Sequence, residues 1–281
     1  MSPRPNTMAA KPANKTVTDE CCRTVQPATT SGARNKRQVA WPNLQLVKET
    51  MWVRGHEVTA GVDLAGADLT DCNLRSADLS ESWLGGAVLS GSDLSGARLV
   101  GADLRHTICR STIFADADLH HANLWNADLT EADFGGAVLS RSWLGNARMG
   151  SADLRSTELG GAWLTGADLT CADLGAASLA GSCLSRTCML EADMTGVFAG
   201  GADLRSAILN GAIIRAANLS GSILRGASLI GVDLSLTDLV GADLTGAQLE
   251  GVVLDGIRHD ATTRWPDGFA PPSSGGLDNH D

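Results

Sequence analysis

Six histidines, seven cysteines and 32 carboxylates are the side chains in this sequence equipped for acid–base, metal or nucleophilic chemistry. The seven cysteines (Cys21, Cys22, Cys72, Cys109, Cys171, Cys183 and Cys188) contain no C-x-x-C pair and no regular spacing. A disulfide framework or a zinc site would need one or the other, so reduced structural thiols are expected. His120 and His121 are adjacent and should point in different directions, while His106 lies three five-residue steps before His121. His56, His259 and His280 are remote from all of these. There is no G-x-x-x-x-G-K-[ST] to cradle phosphate, no H-E-x-x-H and no G-x-S-x-G. The expectation is a protein without catalytic, cofactor or metal residues, and not an enzyme.

The question then becomes what positions so many carboxylates. The chain of 281 residues has 32 glycines, no tyrosine, four phenylalanines and no proline between Pro42 and Pro266. That composition does not fit a jigsaw-packed mixed core. Charge is divided along the chain: residues 1–60 carry nine basic against four acidic side chains, whereas residues 61–258 carry 24 acidic and 12 arginines. No apolar run is long enough for a membrane span, and the first 30 residues lack the apolar stretch of a signal peptide, so a cytoplasmic location is expected.

A five-residue phase runs without slipping from Leu64 to Leu254, a total of 39 units. The central residue is Leu in 31 units and otherwise Cys109, Phe114, Phe134, Met149, Met189, Met194, Ala199 or Ile214. Two residues earlier the chain uses 24 Ala, five Ser, five Thr, four Val and Cys72, and just before the centre stands Asp in 16 units. An α-helix turns about 100° per residue, so a stripe of period five would wind around it. A straight strand sends residues five apart to opposite faces. The chain must therefore bend once per unit, with the central residue and the one two before it both pointing inward. Such units bury their apolar sides only by stacking in coils, and the absence of proline keeps every N–H available for the ladder. Glycines are expected chiefly at the corners.

The run A-(D/N)-L-x-x, written here as GADLT, SADLS and EADMT, resembles the pentapeptide-repeat family over about 190 residues. The resemblance implies an all-β, right-handed quadrilateral β-helix with four units per 20-residue coil, hence about ten coils from the 39 units. At about 4.8 Å per coil the rod would be roughly 45–50 Å long. The expected organisation is a basic segment at 1–40 whose low-complexity composition points to disorder, a segment at 41–60 that could cap the N-terminal coil with Trp41 and Trp52, the β-helix at 61–258, and a C-terminal cap and flexible tail at 259–281. The segment TRWPDGF resembles the ending of many members, so Trp265 and Phe269 are expected to close the last coil. In several relatives that end forms a twofold homodimer, which would remove the exposed edge.

Twenty residues per coil would stack Asp133, Asp153, Asp173 and Asp193 in one column, and Trp143 over Trp163 in another. The fluoroquinolone-resistance members of the family, Qnr-like and mycobacterial, are DNA mimics that bind DNA gyrase. The acidic column makes that one reading of this chain, which lacks the loops of the Qnr-like type. The other is a solenoid that presents its faces to an unidentified protein partner, because Asp before the central Leu is also the plain family consensus. A third class, nucleic-acid binding, rests only on Arg23, Arg34, Lys36 and Arg37, and the acidic body would repel phosphate.

Overall fold

The computed structural model describes residues 51–272. The basic segment 1–40 and the part of the expected cap that holds Trp41 lie outside the described residues. The chain divides after Ala40, and every described residue belongs to the second unit.

That unit opens on an antiparallel hairpin, β1 (Met51–Val53) and β2 (His56–Val58), with Met51 opposite Val58. Its two loop residues, Arg54 (φ +48°) and Gly55 (φ +83°), both have positive φ, the type I′ geometry that matches strand twist. Met51 and Val53 pack against the core and Val58 is buried, whereas Trp52 is 63% exposed. Alternation along β1 puts Trp52 on the face away from the core, so the hairpin covers the coils with its aliphatic residues, not with the tryptophan expected to do so.

From Asp63 onward the chain forms parallel bridges between residues 20 apart, in four columns: Asp63↔Trp83, Asp68↔Val88, Asn73↔Asp93 and Asp78↔Arg98 start the series. The last bridge, Asp243↔Arg264, spans 21 residues, where the five-residue phase ends. Each bridging residue donates its N–H to, and accepts at its C=O from, the preceding coil, as Trp83 does with Val62 (2.9 Å) and Leu64 (2.8 Å), while the residues flanking it bond to the following coil, as Ser82 C=O and Leu84 N–H do with Asp103 (2.9 and 2.7 Å). Central residues and those two before them are buried, forming one continuous core, except at its two ends, where Val62, Val252 and Leu254 are only partly covered.

Volume is balanced within two of the coils. Phe114 shares its 20 residues with the small Cys109, and Ala199 shares its own with Met189 and Met194, whose flexible thioethers fill irregular space. Each corner is a β-turn, for example Ala67 N–H to Leu64 C=O at 3.0 Å. The third residue of every corner from Gly61 to Gly256 has φ between +51° and +73°, the mark of a type II turn. Only half of these 40 positions are glycine. The others, such as Leu236 (φ +63°) and Arg186 (φ +59°), hold a left-handed conformation that costs an L-residue about 1–2 kcal/mol. The ladder on both sides enforces the bend regardless of residue type.

Serine and threonine at the inward position bond their hydroxyls to backbone carbonyls, as Ser182 does to Leu179 and Ser222 to Leu219, both at 2.7 Å. Ser142 Oγ is buried with no partner. Ser142→Ala should therefore raise stability by about 1 kcal/mol, while Ser182→Ala lowers it by a similar amount. Urea midpoints of the two variants check this, and equal losses would contradict it.

Candidate functional site

A filled interior leaves the outer faces as the place where function can reside. Each face consists of one bridge column together with the corner that follows each strand. The column that begins at Asp63 is called here the tryptophan face, and the column that begins at Asn73, two columns on and opposite, the aspartate face.

On the aspartate face, Asp133, Asp153, Asp173 and Asp193 bridge in direct succession, so the four carboxylates share one column. Each spends Oδ1 on a backbone N–H two residues on: Gly135 (2.9 Å), Arg155 (3.0 Å), Gly175 (2.9 Å) and Thr195 (2.9 Å). Asparagine does the same elsewhere, as Asn123 does for Trp125 N–H (3.1 Å) and Asn218 for Ser220 N–H (3.0 Å). The Asp or Asn before the central residue is thus an Asx device that closes the corner. Charge left over points outward, and part of it is matched. Arg155 forks onto Asp153 and lies 3.6 Å from Asp173. The hydrogen bonds from Arg155 outweigh burial and hold the Asp153 carboxyl below the usual range.

The tryptophan face carries Trp83, Trp125, Trp143 and Trp163, all the tryptophans of the repeat region, at 62, 38, 48 and 50% exposure. Trp143 and Trp163 stack with centroids 5.5 Å apart and planes 9° from parallel. Trp125 lies over Gly145, where an added Cβ would run into its ring. Trp125 follows its central leucine instead of preceding it, so a column drawn through the preceding position misses it. A search for glycine one coil above an aromatic would have found it.

Charge is distributed unevenly around the coils. Between residues 61 and 258 the tryptophan face has four acidic and four basic side chains, and the aspartate face eight and three. The column starting at Asp68 has seven and two, and that starting at Asp78 five and three. Aromatic area and negative charge therefore occupy opposite sides.

Among the described residues no His, Cys, Asp and Glu cluster could hold a metal ion. His120 and His121 touch edge to face at 4.2 Å instead of diverging, because the left-handed corner at His121 (φ +59°) folds the chain back. Burial pushes the Cys109 thiol up to about 12, which makes it inert, and raises Cys72 as well. At Cys183 burial is the largest single effect and acts upward, but hydrogen bonds from Thr165 and Ser185 together outweigh it and the thiol falls below its usual range. At the far end, Trp265 stacks on Phe269 at 5.3 Å and meets His259 edge-on at 5.4 Å, and both aromatics pack against the core. Among the described residues no helix is long and apolar enough to cross a membrane.

The family model described as pentapeptide repeats (8 copies) matches overlapping segments that run from residue 60 to residue 256. No curated protein matches the chain. Among solved structures, HetL of Nostoc sp. strain PCC 7120, a pentapeptide repeat protein involved in heterocyst differentiation regulation, is 30% identical over 70% of this chain and 87% of its own, with a TM-score of 0.27. The pentapeptide repeat protein alr5209 from Nostoc is 33% identical over 35% of this chain and 77% of its own, with a TM-score of 0.28. A trypsin-treated form of QnrB1, a plasmid-mediated fluoroquinolone resistance protein, is 21% identical over 72% of this chain and 89% of its own, with a TM-score of 0.43. With an unbroken five-residue phase, parallel bridges every 20 residues and a family match across residues 60–256, the chain belongs to the pentapeptide-repeat family.

Proposed function

We propose that this protein is a non-catalytic interaction solenoid that engages a protein partner through its tryptophan face. The observation that supports this reading is the gathering of Trp83, Trp125, Trp143 and Trp163, all exposed, on the one face whose charges cancel. Exposed tryptophan is enriched at binding hot spots, and a face without net charge repels a partner of neither sign. Trp143→Ala combined with Trp163→Ala should abolish partner capture from lysate of the protein's own cell, measured by quantitative mass spectrometry, without lowering the melting temperature. Unchanged capture would defeat the proposal. The same reading takes the coils as right-handed, about ten in number, with Trp265 and Phe269 as the C-terminal cap, a homodimer through that end and a cytoplasmic location.

The alternative is a DNA mimic directed at DNA gyrase. It is favoured by the succession of Asp133, Asp153, Asp173 and Asp193 and by the excess of acid on two adjoining faces. Arg155 opposes it by supplying a positive charge at the middle of the ladder. Because asparagine closes the same corner, changing all four to Asn removes charge while keeping the fold. Salt-sensitive inhibition of gyrase supercoiling that disappears in this variant would establish mimicry. Its absence at micromolar protein would leave the tryptophan-face reading.

A further inference from the structure

The stack of Trp143 on Trp163 stops at Cys183, the next residue in the column, and Asp203 follows. An open groove of about 320 Å³ lies beyond Trp163, lined by that indole, Cys183, Asp203 and Arg205 and by the backbone of Gly161, Gly181 and Gly201. Trp143 does not line it, so the groove lies against the face of Trp163 turned away from the stack. Its far wall is flat: Arg205 forks onto Asp203 through hydrogen bonds of 2.8 and 2.6 Å. Two coil steps separate the walls, about 9.6 Å at 4.8 Å per step. A planar ring held between two surfaces at van der Waals distance needs about 7–8 Å. One ring fits there, because Cys183 contributes only a thiol to the floor.

Arg205 also borders a second groove of about 350 Å³, lined with Thr165, Ser185, Arg186 and Ser206. Arg186 makes no ion pair among the described residues. It holds this corner at φ +59°, where glycine stands one coil earlier at Gly166. The charged side chains that line the two grooves are Arg186, Arg205 and Asp203, two basic against one acidic, a local basic excess on an acidic body. A free guanidinium with three hydroxyls is a donor set for an oxyanion.

We infer that the tryptophan face carries a site for a small planar aromatic ligand bearing an oxyanion, of the nucleoside monophosphate class, with its ring between Trp163 and the Asp203–Arg205 pair and its anionic group on Arg186 and the flanking hydroxyls. The site is independent of the identity of any protein partner. Tryptophan fluorescence of the full chain titrated with adenosine 5′-monophosphate tests it, with adenosine and inorganic phosphate as single-group probes and iodoacetamide labelling of Cys183 as a second readout. The monophosphate should quench saturably and protect Cys183, and each single-group probe should bind at least about tenfold more weakly. A charge-assisted hydrogen bond of about 1.5–3 kcal/mol corresponds to roughly ten- to hundredfold in affinity, so Arg186→Gly should weaken binding by that factor. Glycine suits the corner, so this variant keeps the fold. Cys183→Trp should extend the stack, fill the slot and abolish saturable quenching. No saturable quenching at millimolar monophosphate, phosphate binding as strongly as the monophosphate, or quenching that survives in both variants would overturn the proposal.

Discussion

Phe134→Ala is expected to destabilise the protein by about 3–5 kcal/mol, the usual cost of emptying a fully buried phenylalanine site. Phe114 and Phe134 are both completely buried and stack one coil apart at 4.9 Å, with planes 6° from parallel. Truncation loses the transfer energy of the ring, leaves a cavity and strips Phe114 of its stacking neighbour. The walls cannot collapse into the gap, because the spacing between coils is set by the backbone ladder on all four sides. Phe134→Leu places the residue found at 31 of the 39 central positions and should cost under about 1.5 kcal/mol. A double-mutant cycle of Phe114→Ala and Phe134→Ala should give a coupling of about 0.5–1.5 kcal/mol. Urea unfolding of the four proteins measures these terms. An alanine variant no less stable than the leucine variant would show that the column repacks.

The second large effect is expected in acid. At Asp78, Asp233 and Asp260 a hydroxyl two residues on (Ser80, Ser235, Thr262) donates to the carboxylate and holds its pKa below the usual range, with a further contribution from the backbone N–H. At Asp103, Asp153 and Asp203 the hydrogen bond from Arg105, Arg155 or Arg205 does so. At Asp93, Asp128 and Asp243 burial is the largest single effect and acts upward, but the hydrogen bonds combined outweigh it and the net shift is again down. A carboxyl with a depressed folded pKa adds stability that is fully present above its unfolded value, about 3.9 for Asp, and is lost as pH falls through the folded value. All nine groups act in the same direction. The melting temperature should be insensitive to these carboxylates from pH 5 to pH 7 and fall steadily below about pH 4. Asparagine at Asp103, Asp153 and Asp203 should flatten that fall. A melting temperature at pH 3 equal to that at pH 6 would refute this account of the corners.

The local device behind both effects could be read from residue order alone. A period of five excludes helix and straight strand, assigns Leu and Ala to the interior, and requires a bend after each unit. What the order of residues left open is how many units make one turn. All four inward columns draw on the same few residue types, so the apolar pattern repeats every five residues and bears no trace of a period of 20. The value of four came from the family resemblance, and in the structure it appears as bridges between residues 20 apart. Everything that depends on which units are neighbours was therefore decided in three dimensions. Trp125 joins Trp83, Trp143 and Trp163, Arg155 reaches Asp173 as well as Asp153, and Cys183 opens a slot between Trp163 and Asp203. The same holds at the corners. Glycine was the residue expected there, yet half the corners use others, because ladder hydrogen bonds on both sides impose a left-handed bend that residue type alone would not choose. Sequence determined what faces inward, since burial follows local spacing. Tertiary structure decided what the surface can bind, since surface neighbours are a full coil apart along the chain.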